Sequence, residues 1–179
     1  MRLTRFQLWL AAAVIVVMPG SSIRAGDAHH NGTRVTLFAT GLNDPRGLAF
    51  GSDGDLYVAE AGTGGNASTA GLCDQVLPPV GPKLGGATGR IVAINRRGAI
   101  SIVAQGLPSS QASPLIGGDK EGAAAVTFAE KSLFGLISGG GCSHGHADPR
   151  ANNGVLTVTE QGVSLLADLS AWLLANPGA

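Results

Sequence analysis

Charge is scarce in this chain of 179 residues, and what there is cancels. Only 13% of positions are charged, with 12 Lys and Arg set against 12 Asp and Glu. That balance excludes a nucleic-acid partner, since a polyphosphate backbone demands a basic face. Cysteine is limited to two residues, and aromatic residues make up 4%. Long apolar runs are missing too. The stretch Phe6–Met18 falls short of the ~20 residues that span a bilayer, and nothing later in the chain reaches that length. There is no G-x-S-x-G elbow, and no spacing of Ser, His and Asp singles out a triad. The glycines at 139–141 are not followed by the Gly-Lys-Ser/Thr of a phosphate loop.

What the chain does have is glycine, 28 residues, and 9 prolines, without a collagen-like period. That usage fits many tight turns between short strands. The 44% of hydrophobic residues excludes wholesale disorder. The first 25 residues form a separate object. Arg2 and Arg5 lead into the apolar run, "PGSSIRAG" breaks it, and Ala25 is a cleavage position. This is the layout of a secretory signal peptide, so the expected location is secreted or periplasmic, with membrane contact only through the leader. A retained leader would anchor the chain. Residues 26–33, with His29 and His30, read as a disordered mature N-terminus. In an exported chain a lone pair of cysteines reads as one disulfide, here Cys73 to Cys142.

The mature part reads as all-β. "RVTLFATGL" (34–42) alternates and predicts a strand; "GLAF" and "LYVAE" predict two more. After a glycine-rich loop at 62–88, "GRIVAINRRGAISIVAQGL" predicts a hairpin. The layout then recurs. "AAAVTFAEKSLFGLISGGG" answers "PRGLAFGSDGDLYVAEAG", and "NGVLTVTEQGVSLLADL" answers the hairpin, with Ala167 63 positions after Ala104. A repeat of four strands marks a β-propeller blade. The expected units are 45–107 and 108–169, with a third beginning at 170–179. Propellers close with about four to eight blades. The expectation is therefore an incomplete chain holding two blades and one opening strand; the alternative is a small, complete nine-stranded β-domain.

Up-and-down order places the loops 62–88 and 138–153, the link 108–122 and both cysteines at one end of the blades. Insertions on one face of a repeat mark the binding face. The candidates there are Glu60, Asn66, His144, His146 and Asp148. Glu60 ends a strand and can hold a metal, act as a base, or pair with Arg90 or Arg150. "CSHGHADPR" gathers Cys142, His144, His146 and Asp148, which are zinc-type ligands, but at a spacing that matches no standard site, so it reads as a solvated loop. The Asn31 and Asn66 sequons read as chance. At the opposite end, Asp53 and Gly54 read as a hairpin turn, and Pro45 and Gly47 as structural turn positions.

Several of these motifs carry a family resemblance. "DPRGLAFGSDGDLYVAEAG" resembles the NHL-type propeller repeat. In order, "GLNDPRGLAFGSDGDLYVAEAGTGGN", "LCDQVLPPVGP", "GGATGRIVAI", "AQGLPSS", "GAAAVTF", "NNGVL" and "LLADLSAWLLANP" resemble the ScyD/ScyE family of exported bacterial proteins, over nearly all of the mature chain. The resemblance implies a six-bladed, NHL-like propeller about twice this length. It implies no substrate: the family is named for a gene cluster that makes the pigment scytonemin, and members occur in bacteria that make none. The expected function is a scaffold that binds a small molecule or protein on the loop face, with no assigned catalysis. The alternative is a propeller enzyme of lactonase or sugar-dehydrogenase type, using a metal or quinone in the central channel. No cofactor is identified, and calcium or zinc is reserved for the complete protein.

Overall fold

A computed structural model describes residues 29–30 and 33–177. The leader read at residues 1–25 lies outside them. The chain divides into two units, one ending at Leu37 and one starting at Phe38. In the first, β1 (His29–His30) pairs with β2 (Thr33–Arg34) in a short antiparallel ladder. This ladder falls within the stretch 26–33 read as a disordered N-terminus, of which 26–28 and 31–32 lie outside the described residues. Among the described residues no helix is long and apolar enough to cross a membrane.

The second unit is all-β and holds two antiparallel sheets. The first runs β3 (Pro45–Phe50), β4 (Leu56–Glu60), β5 (Leu84–Ile94), β6 (Ile100–Gln111) and β7 (Lys120–Glu121), each beside the next. The second runs β8 (Ala123–Ala129), β9 (Ser132–Ile137), β10 (Gly154–Thr159) and β11 (Gly162–Asp168). Both are meanders, so each strand returns beside its predecessor through a turn. Their irregularities match as well. The first sheet shifts register between Pro45 and Leu48 and between Ile91 and Val92. The second does so between Ala123 and Ala125 and between Val155 and Leu156. Bulges at equivalent places bend and twist both sheets alike.

The turns follow from residue chemistry. At the β3–β4 hairpin the Asp53 carboxylate accepts from the Asp55 amide at 3.0 Å and from the Tyr57 hydroxyl at 2.9 Å. Gly54 sits at φ +83°, where a Cβ is strained. The β5–β6 turn is held by the Asn95 side chain, which accepts from the amides of Arg97 and Ala99. Pro45 opens β3. Gly47 is a packing position and not a turn: a Cβ there would lie 2.6 Å from the Ala125 Cα. The missing side chain is what lets β3 approach β8.

The core lies between the sheets. Ala59, Ile91, Ala104 and Leu107 from the first meet Val126, Ile137 and Leu156 from the second, all nearly or fully buried. The Tyr57 and Phe128 rings close it edge to face, with centroids 4.9 Å apart. A smaller cluster, Val58, Val92 and Ile94, lies on the other face of the first sheet under Ala39 and Leu42.

Three expectations are corrected. "RVTLFATGL" forms no strand beyond Arg34, because no neighbouring strand offers it a ladder among the described residues. The loops read at 62–88 and 108–122 are partly strand: β5 starts at Leu84, β6 runs on to Gln111, and β7 extends the sheet. Register shifts between Gly86 and Arg90 let that ladder continue through glycines. The stretch 170–179, read as the start of another blade, enters a helix, α1 (Leu169–Ala175), which Asp168 caps by accepting from the Ala171 amide at 2.8 Å.

The core contact predicts its own cost. Ile91 is fully buried between the sheets, so Ile91→Ala is expected to lower unfolding free energy by about 3 kcal/mol, measured by urea titration.

Candidate binding cleft

The loop-rich end is held together by one covalent bond and one charge cluster. Cys73 and Cys142 are joined, 69 positions apart in sequence. The bond ties the β4–β5 loop to the β9–β10 loop. Beside it the Thr69 hydroxyl donates to the Cys142 carbonyl. The Gln75 amide donates to the carbonyls of Cys73, at 2.9 Å, and Thr69, at 3.2 Å. Each loop thus satisfies polar groups of the other or of itself, as buried backbone requires.

Beneath these loops lies Lys83, whose side chain is 6% exposed. Its ammonium donates to Glu121 Oε2, and the His144 Nε2 meets the same oxygen at 2.9 Å. Glu121 belongs to β7, Lys83 to the β4–β5 loop and His144 to the β9–β10 loop. One carboxylate therefore pins three segments. The His144 hydrogen bond, with help from Lys83, holds the Glu121 carboxyl down to about 2. A buried ammonium needs such a partner, since an unpaired charge in the interior is expensive.

Between the sheets, under the β9–β10 loop, opens a cavity of about 710 Å³. Its floor is apolar: Leu107, Ile137, Leu156, Val163 and Leu165. Gly86, Ala87 and Gly106 keep one wall low. His146 stands at its side, with Nε2 3.2 Å from the Ser109 carbonyl, which places the proton on that nitrogen. Burial lowers the His146 pKa. Asp148 and Arg150 form the rim. Arg150 donates to Asp148 Oδ2 at 2.7 Å and holds that carboxyl down at about 2. The rim charges neutralise one another, so the cleft presents little net charge.

The structure scatters the residues that the sequence gathers. His144 turns to Glu121, His146 to Ser109 and Asp148 to Arg150, while the Cys142 sulfur is spent in the disulfide. Among the described residues no three His, Cys, Asp or Glu groups are placed to hold a metal ion. The cluster is a solvated loop only in part: the His144 side chain is 15% exposed, while residues 147–150 are exposed. Asn66 is exposed on the β4–β5 loop. Glu60 does not belong to the cleft. It is fully buried on the far face of the first sheet. There its Oε2 accepts from Arg90 Nε at 2.8 Å and from the Asn43 amide at 2.6 Å. It fixes the chain entering β3. Among the described residues its Oε1 has no hydrogen-bond partner. Sequence reasoning missed Ser109, which stands in "AQGLPSS" with no role given to it, and also Lys83 and Glu121, two charged residues that stand in no motif. Their only signal is that charge is rare in glycine-rich surroundings, which does not name a partner.

Two outcomes follow. Replacing both cysteines by alanine releases a loop of 69 residues and is expected to cost about 4 kcal/mol, read by chemical unfolding. Glu121 has a folded pKa below its ordinary value of 4.5. Its stabilisation is therefore complete above about pH 4.5 and lost as pH falls toward 2. The stability gap between the wild type and Glu121→Gln should accordingly close over that interval, as measured by thermal unfolding at stepped pH.

No family model, no curated protein and no solved structure matches this chain.

Proposed function

We propose that the chain is an exported β-propeller protein of the ScyD/ScyE type that binds a ligand in the cleft between its two sheets, as a scaffold and not as a catalyst. The observation that carries this reading is the cleft itself. An apolar floor of about 710 Å³ lies beneath loops that a disulfide and a three-way charge cluster hold in place. Binding sites are largely preformed, apolar and edged by a few polar groups, and this one has His146, Asp148 and Arg150 at its margin.

Three features support the propeller part of the reading. Each sheet contains a meander of four strands, extended by β7 in the first, with bulges at equivalent places. The sheets pack face to face with their first strands, β3 and β8, in contact. The ordered motifs of the ScyD/ScyE family run through both. A disulfide between two loops suits the oxidising environment that export implies.

The probe is N-phenyl-1-naphthylamine, an uncharged aromatic dye, added to the oxidised full chain. Saturable fluorescence enhancement is expected. Leu165→Trp, which fills the floor, should weaken it by roughly tenfold, the scale of one lost apolar contact. Phe50→Arg, on the far face of the first sheet, should leave it unchanged. Equal binding by wild type and Leu165→Trp would remove the cleft as the site.

A further inference from the structure

Each sheet has an apolar face that the sheet–sheet contact does not use. On the first sheet the register aligns two transverse rows, Leu48–Val58–Val92–Ile102 and Phe50–Leu56–Ile94–Ile100. No polar side chain interrupts them. Ala39 and Leu42 cover the middle, over Val58, Val92 and Ile94. The flanks stay open: Leu48 is 62% exposed, Phe50 73% and Ile102 54%. An apolar face of that extent marks an interaction surface.

The second sheet identifies what this face is shaped to meet. Its rows toward the first sheet are Val126–Gly135–Leu156–Leu165 and Phe128–Leu133–Val158–Val163. They occupy the same register places, row for row, as the open rows of the first sheet. Val126, Leu133, Leu156 and Val158 among them are buried in the inter-sheet core. The open face of the first sheet is thus the counterpart of the face by which the second sheet binds the first. The converse also holds. On the outer side of the second sheet, Phe134, Leu136 and Val155 take the places of Tyr57, Ala59 and Ile91, which fill the internal contact from the other side. Leu166 stands at the second-sheet bulge as Val103 does in the first, and is 60% exposed.

We infer that the open face of the first sheet binds the outer face of the second sheet of another copy of this chain, head to tail. The contact repeats between chains the one already made within the chain. It rests on the propeller reading of the two sheets, and not on the cleft being a ligand site. Ala39 packs over Val58, Val92 and Ile94. On docking, the incoming β11 displaces it. The stretch Phe38–Thr40, which belongs to no ladder, gives way, while Glu60 and Arg90 keep hold of Asn43 and Gly41. Such a contact joins two different surfaces, so copies add in one direction and close into a ring where the rotation allows. Any closed ring then holds an even number of sheets.

Sedimentation velocity on the full chain tests this from low to high micromolar concentration. The mass is expected to rise with concentration to a multiple of the monomer. Phe50→Arg blocks one surface and Leu166→Arg the other; both positions are exposed, and each variant alone should self-associate roughly tenfold more weakly or less, as loss of a central apolar anchor does. Mixed together they retain one intact surface each and should form a complex of two copies and stop there. Ile102→Arg is a second block on the first surface, should Phe50→Arg lose its cooperative melting. A wild-type chain that stays monomeric, from whatever covers the face, overturns the inference. So does a wild type that associates no more strongly than its variants, or a mixture that yields no two-copy complex. Dye binding in the cleft is read separately, so either proposal can fail alone.

Discussion

Everything else in this molecule depends on the close approach of β3 and β8. Two antiparallel meanders cannot each bury an apolar face alone; each must cover the other. Gly47 removes the side chain that would strike Ala125, and Ala123 and Ala59 keep the neighbouring contacts small. Larger residues, Ile91, Ile137 and Leu156, fill the space as the sheets diverge. The sheets are therefore tight along their first strands and splayed toward β6 and β11. The cleft is the open side of that wedge.

The loops exploit the wedge. Strand order places the β4–β5 and β9–β10 loops at one end, and the sheet contact brings them side by side. Only then are Cys73 and Cys142 within bonding reach, and only then does Glu121 meet both Lys83 and His144. The charge cluster and the disulfide are consequences of the core contact that then stiffen it. The rim pair Asp148–Arg150 stands outside this arrangement, exposed and self-neutralised, where an ion pair contributes little to stability.

Glu60 and His144 mark the limit of local reading. The sequence places Glu60 at the end of a strand, and that is where it lies. Its direction was not legible, because the alternation of β4 points Glu60 to the face opposite Ala59 and Ala61. Its partner is Arg90, one of the two arginines the sequence offers it, on a strand 30 positions later. His144 and His146 look like neighbours of Cys142 and Asp148 in a ligand set. A turn of 3₁₀ helix at Cys142–His144 and the left-handed Gly145 send the two rings to different partners instead. The stretch 34–42 shows the reverse case, a strand pattern with no ladder, since alternation records a preference for pairing and not the presence of a neighbour.

The sequence by itself determined the β class, the hairpin at Asp53–Gly54, the strand Leu56–Glu60, the recurrence of four strands and a cysteine pair suited to one bond. These are local properties: turn chemistry, alternation and composition act over a few residues. Tertiary structure alone decided which face of each sheet is covered, which carboxylate holds Lys83, where the cleft opens, and that 169–175 coils into a helix. Those outcomes turn on groups tens of positions apart in the chain, brought together by the packing of one sheet on another, and no short stretch of residues records them.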